Sequence, residues 1–410
     1  MEIRPILSAL LRNKTGPLLV ALQVALSLAI LANALHVVSE RRTVAARPSG
    51  LLDEAATFYF SVRTLNDNPP EQMLADIKRE LAVLRAVPGV VAASQVSQMP
   101  LSNSGGSTSV AIDRRQQRES GVTSMYEGDE ALVKTFGLKL VEGRNFQPHE
   151  VTEVNETITD GFPDMAIMSK PLADKLWPGV PATGKTFYFG TGEDASPLRV
   201  VGVVERLQSA HAQIGETGEF SVIMPSLRYG FPGTLYAMRA EPGQRDRVMK
   251  EAEAALRKSS STPMILRVKT VEEDRKNRYR ADVALSWMLV TVSVLLLLVT
   301  CSGIVGMASL WVTQRRKQIG VRRALGARKI DILRYFIIEN VMITSAGVLG
   351  GVLLGVGLNQ LLVTKLEMAR LPVTYLAGGA VMFWVIGILA AYGPAWRAAS
   401  TSPALATRSA

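Results

Sequence analysis

The sequence has one cysteine and three histidines among 410 residues. Cys301 alone cannot form an intrachain disulfide, and no pair of cysteines or histidines has the spacing of metal ligands, because His36, His149 and His211 are scattered. A nucleophile-elbow pattern is also missing. We therefore expect a chain that is not itself an enzyme and that has no catalytic, cofactor-binding or metal-binding residues.

Charged side chains are absent from four long apolar runs, at residues 17–38, 284–312, 341–363 and 374–396. Each run is long enough to cross a bilayer, which takes about 20 residues. Without Asp, Glu, Lys or Arg in their cores, these runs give no sign of a charged translocation path. They predict four transmembrane helices that pack and move.

The first run follows a basic lead, residues 1–16, which we predict to be a cytoplasmic amphipathic helix. At about 22 residues the run is longer than the apolar region of a signal peptide, and no Ala-x-Ala pattern follows it. We interpret it as a retained anchor. It contains Gln23, Ser27, Asn33 and His36, and such polar groups predict packing against another helix. The small residues of the third run, such as Gly347 and Gly351, suggest tight packing within a dimer.

The densest basic cluster lies between the second and third runs, at residues 313–336. This segment contains one acidic residue, Asp331, and eight basic residues: Arg315, Arg316, Lys317, Arg322, Arg323, Arg328, Lys329 and Arg334. The formal charge of +10 alone would suit a nucleic-acid binder, but an excess of Arg and Lys between spans marks the cytoplasmic side, so we expect no nucleic-acid partner. Apolar residues at helical spacing predict one or two short amphipathic helices, with breaks at Gly320 and Gly326. On charge alone, contact with anionic lipid and docking to a cytoplasmic partner both remain open.

This topology places both termini in the cytoplasm and residues 39–281 outside it. The outer region alternates strand-like and helix-like patterns, beginning with a strand at 57–63, a helix at 69–87 and a strand at 90–98, which predicts a mixed α/β domain. We expect two subdomains, one from 55–110 plus 234–275 and one inserted between them. From 271 to 312 the sequence permits a single helix acting as a stalk, or two helices that meet at the membrane surface.

Residues 179–186, GVPATGKT, fit the pattern of a phosphate-binding loop. Such a loop needs a strand before it and a helix after it. Here a helix-like segment precedes and a strand-like segment follows, so we expect Gly184 to form an ordinary turn.

The segment from 315 to 340 contains Ile319-Gly320, Arg323-Ala324-Leu325-Gly326-Ala327 and Glu339, and the tail contains Pro394-Ala395 and Arg397-Ala398-Ala399. With these residues the chain resembles the FtsX-like permease family. In that family this loop meets an ATP-hydrolysing subunit. The resemblance implies a coupling loop formed by Arg316, Gln318, Ile319, Gly320, Arg323, Leu325, Gly326 and Glu339. The family usually has an acid where this chain has Gln318.

The outer region resembles the extracytoplasmic domain of MacB-type permeases. The similar stretches are Phe136-Gly137-Leu138, Gly143-Arg144-Asn145-Phe146, Leu176-Trp177-Pro178 and Val200 to Val204. The resemblance implies a four-helix membrane protein with a MacB-like periplasmic core domain inserted between helices 1 and 2. The expected segments are 1–16 lead, 17–38 first span, 39–281 outer domain, 282–312 second span, 313–336 coupling loop, 337–363 third span, 364–373 outer loop, 374–396 fourth span and 397–410 tail.

The resemblance further implies an ABC transporter permease in the bacterial inner membrane. MacB carries a fused ATPase before its first span, whereas this sequence begins about 16 residues before that span, so we expect a separate ATPase subunit that holds ATP and Mg²⁺. A second permease copy or a related permease, a periplasmic adaptor and a TolC-like outer-membrane channel complete the expected exporter of a drug, toxin or peptide. Two alternatives stay open: a LolCE-like permease that releases lipoproteins, and an FtsX-like activator of a cell-wall hydrolase.

Overall fold

The computed structural model describes residues 10, 14–66, 68–158, 162–260, 262–366 and 369–400. Most of the predicted amphipathic lead and the tail from residue 401 lie outside these residues. The chain divides into two compact units: the membrane unit, residues 1–43 with 282–410, and the inserted unit, residues 44–281.

The elements of the chain up to residue 270 begin with one long apolar helix, α1 (Thr15–Ala45). The inserted unit follows with a series of shorter elements. In chain order they are β1 (Thr57–Thr64), α2 (Pro70–Ala86), β2 (Val90–Val96), β3 (Ser107–Ala111), β4 (Gly121–Gly128), α3 (Leu132–Phe136), β5 (Leu140–Gly143), β6 (Thr152–Asn155), β7 (Met165–Ser169), α4 (Lys170–Leu176), β8 (Thr186–Phe189), β9 (Ser196–Val204), β10 (Ser221–Tyr229), β11 (Gly233–Ala240), α5 (Arg245–Ser259) and β12 (Met264–Thr270).

The strands form one mixed sheet in the order β12-β1-β11-β2-β4-β3-β8-β9-β7-β10-β6, and β5 pairs with β9. Its two halves meet at β2 and β4, which share only the pair Val96 and Gly128 in the ladder. The half with β1, β2, β11 and β12 packs under α2 and α5, and the other half has its own apolar core. The predicted subdomain boundary at residue 110 is displaced, because β3 pairs with β4 and β8 in the second half.

The helices of the first half show why this sequence folds here. Pro70 opens α2 at its first position, where its missing N–H costs nothing, and Ile77, Leu81 and Leu84 form the buried face. Glu80 lies on the same face and accepts a hydrogen bond of 2.6 Å from the hydroxyl of Tyr236. Burial nevertheless raises the pKa of Glu80, since the hydrogen bond offsets only part of the lost hydration.

The remaining helices are α6 (Val271–Gln314), α7 (Arg316–Ala324), α8 (Lys329–Leu366) and α9 (Val373–Ala399). The helices α1, α6, α8 and α9 are each long and apolar enough to cross a membrane. The four-helix prediction with an inserted α/β domain is therefore confirmed. The single-helix alternative for 271–312 is the one observed, and α8 begins before the predicted third span, at Lys329.

Two glycines of α8, Gly347 and Gly351, face α1 of the same chain. A Cβ at Gly347 would lie 2.7 Å from the carbonyl oxygen of Ala21, and one at Gly351 would lie 2.9 Å from Cβ of Leu28. Close packing between α1 and α8 therefore explains these glycines, and the prediction that they pack within a dimer is wrong for this face.

The polar side chains of α1 also find partners on neighbouring helices. Ser27 and Thr300 share a hydrogen bond of 2.8 Å, and Nδ2 of Asn33 donates to the carbonyl oxygen of Gly355 at 3.1 Å. These contacts lie within the membrane unit, so α1 packs against α6 and α8 as its polar residues predict.

Candidate functional site

The coupling segment, residues 314–336, joins the second and third spanning helices through two bends. Arg315 is not helical and separates α6 from α7. The second bend follows α7, where Gly326 has a φ of +97°, a conformation that glycine adopts without strain. Gly326 therefore breaks the helix as predicted, whereas Gly320 does not, because it lies inside α7.

One face of α7 is buried against the spanning helices. Ile319 is 6% exposed and packs with Ile332, Leu333 and Phe336 at the start of α8 and with Ala395, Ala398 and Ala399 at the end of α9. Gly320 is buried on the same side. A glycine inside a helix costs about 1 kcal/mol relative to alanine, and the packing of this face offsets that cost. The buried face of α7 thus packs on the start of α8.

A buried ion pair fixes the first bend. Nη1 of Arg315 donates to Oε2 of Glu339 at 2.9 Å, and Glu339 is only 1% exposed. The same nitrogen lies 3.3 Å from the hydroxyl of Tyr335, and the guanidinium groups of Arg315 and Arg322 lie 6.0 and 5.2 Å from the centre of that ring. Removing one partner of a buried pair leaves an uncompensated charge. The residue between α6 and α7 is therefore held firmly on α8.

The opposite face of α7 combines exposed apolar and basic side chains. Leu325 is 83% exposed and Val321 53% exposed. The segment also carries six exposed basic residues, namely Arg316, Lys317, Arg322, Arg328, Lys329 and Arg334. None of these six pairs with a carboxylate in the part of the chain that the structure describes. We call this face, with Val321 and Leu325 at its centre, the α7 surface.

The predicted coupling residues divide between the two faces. Exposed positions are Arg316, Gln318 and Leu325, buried positions are Ile319, Gly320 and Glu339, Arg323 is half-buried, and Gly326 forms the bend. The predicted coupling residues did not include Arg315, Tyr335 or Val321. A basic residue at 315 and an acid at 339 are visible in the sequence, but only the turn between α7 and α8 brings them together.

The inserted unit contains a polar cavity of about 150 Å³. Arg228 lies in its wall between two carboxylates: Nη1 donates to Oε1 of Glu127 at 3.0 Å, and Nε pairs with Glu156. Burial raises the pKa of Glu127, and the charge of Arg228 and the hydroxyl of Ser226 oppose this shift. The carboxylates are therefore occupied by a partner within the chain.

The phosphate-loop-like stretch has the reverse of the order that phosphate binding requires. Helix α4 precedes it, β8 follows it, and Gly184 has a φ of +86°. Nζ of Lys185 lies 5.0 Å from the centre of the Trp177 ring, a cation–π contact. The geometry here is a turn between a helix and a strand, as predicted.

Two parts of the chain match models of known protein families. Residues 23–257 match the model of the MacB-like periplasmic core domain, and residues 290–403 match that of the FtsX-like permease C-terminal region. The macrolide export ATP-binding/permease protein MacB of Bradyrhizobium diazoefficiens is 29% identical over 314 residues, 73% of this chain and 45% of that protein. The pyoverdine export protein PvdT of Pseudomonas savastanoi is 35% identical over 130 residues, 32% of this chain and 20% of its own.

Among solved structures, the periplasmic region of MacB from Actinobacillus actinomycetemcomitans has 12% identity and a TM-score of 0.33, and the match covers 57% of this chain and 97% of that one. The chain spans about half the length of the MacB relatives that it matches.

Proposed function

Because the chain belongs to the family of FtsX-like ABC transporter permeases with a MacB-like periplasmic core domain, we propose that it is the permease subunit of a MacB-type exporter. A separate ABC ATPase binds ATP and Mg²⁺, and the permease carries the resulting motion to the inserted unit in the periplasm. The cargo is a drug, toxin or peptide that leaves through an adaptor and an outer-membrane channel. The relatives named for macrolide and pyoverdine export support this class of cargo.

The orientation of the proposed permease follows from the coupling segment. Its excess of basic side chains favours the cytoplasmic side by the positive-inside rule. With four spanning helices, both termini then lie in the cytoplasm and the inserted unit lies outside it. Two permease chains, identical or related, would assemble in the inner membrane.

The α7 surface is the observation on which the ATPase contact rests. Leu325 and Val321 are exposed, and the exposed basic residues of the same segment form no ion pair with a carboxylate of the described residues. Burying apolar area in a partner is worth about 25 cal/mol per Å², and positive rim charges favour a partner with an acidic rim. We infer that an apolar groove bordered by carboxylates on the ATPase receives this face.

The buried side of α7 supports transmission of movement. A pull on α7 acts on the packing of Ile319 and on the Arg315–Glu339 pair, so it reaches α6 and α8 directly. Helix α6 then continues without interruption from Gln314 back to Val271 in the inserted unit. A continuous helix transmits displacement, whereas a flexible linker would absorb it.

Gln318 gives the contact a specific feature. It is exposed on α7 at the position where the related permeases usually have an acid. A neutral amide can donate or accept a hydrogen bond but forms no ion pair. We propose that the ATPase of this system presents no unpaired cation opposite Gln318.

The test is co-purification of the ATPase with the full chain from its native membrane. Leu325→Asp and Arg323→Ala should reduce recovery of the ATPase and of coupled ATP turnover, without loss of membrane insertion. The control is Ile265→Asp, which changes a 45% exposed apolar residue of β12 and should retain the ATPase. If Leu325→Asp keeps the ATPase but weakens binding to anionic vesicles, the α7 surface contacts lipid instead. Recovery of an adaptor with the wild-type chain would support the exporter function. Recovery of a lipoprotein or a cell-wall hydrolase instead of an adaptor would contradict that function.

A further inference from the structure

The first turns of α6 lie in the inserted unit and carry three linking side chains, Asp274, Arg275 and Arg278. Their spacing of three and four residues from Arg278 places them on one side of the helix. Each binds a different part of the inserted unit. We call them the linking residues.

Arg275 joins α6 to the end of α1. Its Nε and Nη2 donate to the two carboxylate oxygens of Glu54 at 2.7 and 2.6 Å, a bidentate pair. Nη1 also donates to the carbonyl oxygen of Ala45, the last residue of α1, at 2.8 Å. Burial alone would raise the pKa of Glu54, but the hydrogen bonds and charge of Arg275, together with hydrogen bonds from Ser49, outweigh it and lower that pKa. The cation therefore binds both a carboxylate and a helix C-terminus, which cations favour.

Asp274 joins α6 to the sheet. Its Oδ2 accepts a hydrogen bond of 2.8 Å from the hydroxyl of Tyr59 in β1. Both side chains are buried, with 4% and 5% exposure. Strand β1 pairs along its length with β11 and β12, so this link ends in a part of the unit that is well held.

Arg278 joins α6 to a largely buried loop of the inserted unit. Its Nε donates to the carbonyl oxygen of His211 at 2.7 Å, and Nη2 donates to that of Ala212 at 3.0 Å. This loop, residues 208–213, is bonded in turn to a second loop, residues 99–105. There, the amide of Asn103 donates to the carbonyl oxygen of Ala210 at 2.9 Å. We call these two segments the loop pair.

The loop pair holds strained backbone. Among the described residues, the non-glycine positions with positive φ are Leu101 at 67°, Asn103 at 56° and Ala212 at 42°. All three belong to the loop pair, and Arg278 binds the carbonyl of one of them directly. Strained conformations of this kind persist only where the surroundings enforce them, and they concentrate at switch segments.

We propose that Arg278 is the positioning residue through which α6 moves the loop pair, an inference that rests on the function proposed above. The bond of Asp274 to β1 and the bonds of Arg275 near the end of α1 oppose displacement of α6. The loop pair holds the non-glycine residues of positive φ among the described residues, so it can relax to a less strained backbone when Arg278 moves. The loop pair is thus the part of the inserted unit that changes conformation during the transport cycle.

The experiment measures distances between spin labels by pulsed electron resonance in the full chain with its co-purified ATPase. Replacing the one cysteine, Cys301→Ser, gives the background. Labels at Lys276 and Ile214 report the link between α6 and the loop, and labels at Ile214 and Glu71 report movement of the loop against α2. In the wild type the first distance should be narrowly distributed with and without ATP, and the second should shift when ATP binds.

Arg278→Met should broaden the first distance and abolish the ATP-driven shift of the second, while ATP hydrolysis continues. The matched control is Arg257→Met, which removes an arginine that pairs with Glu253 on α5 and should leave both distances unchanged. If Arg278→Met does not fold, Arg278→Lys serves instead, because lysine keeps the charge but lacks the guanidinium fork.

If Arg278→Met shows the same distances as the wild type, or if Arg257→Met changes them as much as Arg278→Met does, the proposed role of Arg278 is wrong, while the proposed function is unaffected. If ATP does not shift the distance between Ile214 and Glu71 in the wild type, there is no ATP-driven motion of the loop pair, and the proposed function is wrong as well. The two failures are therefore distinguished by the wild-type measurement.

Discussion

The contact between α1 and α8 gives a sharp prediction for Gly347. A Cβ there would lie 2.7 Å from the carbonyl oxygen of Ala21, 0.7 Å short of the 3.4 Å at which ordinary contact begins. The obstacle is backbone, so α1 itself must move away. Overpacking of this kind costs about 1–3 kcal/mol, and replacing a helical glycine by alanine returns about 1 kcal/mol. We expect Gly347→Ala to destabilise the protein by up to about 2 kcal/mol.

Gly357 provides the matched control on the same helix. A Cβ at Gly357 meets nothing within 4 Å, so Gly357→Ala should only gain the helix propensity, about 1 kcal/mol. The clash alone then separates the two variants by about 1–3 kcal/mol. The assay is thermal unfolding of the full chain in detergent, followed by tryptophan fluorescence, with Gly347→Ala melting below Gly357→Ala. Equal melting temperatures would refute the close packing of α1 on α8.

Three further predictions concern single side chains. The pKa of Glu80 in the folded state lies above its ordinary 4.5, so the wild type should lose stability as the pH rises from 4.5 through that pKa. The variant Glu80→Gln should not show this loss. Melting temperatures of the two proteins that change with pH in parallel would contradict the prediction. Gly143 has a φ of +69°, and a Cβ there would lie 2.2 Å from a backbone oxygen. Gly143→Ala should therefore lower the free energy of unfolding, measured with a chemical denaturant, by at least about 3 kcal/mol. Gly179 has a φ of +71° but open space around its Cβ position, so Gly179→Ala should lower it by only about 1–2 kcal/mol. Glu339→Gln should cost about 1–3 kcal/mol in the same assay, because Arg315 loses its charged partner, and an unchanged midpoint would show that the pair does not hold the bend.

Much of the fold follows from local patterns in the sequence. The spanning helices follow from the absence of charge over about 20 residues, and α2 and α5 follow from apolar residues at helical spacing beside prolines and charged faces. The strands β3, β5 and β6 show no such pattern in the sequence. They are four or five residues long and partly polar, so they are defined by pairing with distant strands rather than by their own pattern.

The candidate site shows the same limit. The basic cluster and the break at Gly326 are local features, and both are visible in the sequence. The pairing of Arg315 with Glu339 depends on a chain reversal, and the exposure of Leu325 depends on which side of α7 packs on α8. Small residues in α8 indicate close packing, but their sequence does not say whether the partner is α1 or a second chain.

The central claim is that the α7 surface contacts an ATPase, and photo-crosslinking tests it most directly. A benzoylphenylalanine placed at Leu325 in the full chain is irradiated in native membranes, and the attached polypeptide is identified by mass spectrometry, with the same probe at Ile265 as the control. The account predicts crosslinks from position 325 to an ABC ATPase, and none from position 265. Crosslinks from position 325 to lipid alone, or to the same proteins as the control, would contradict it.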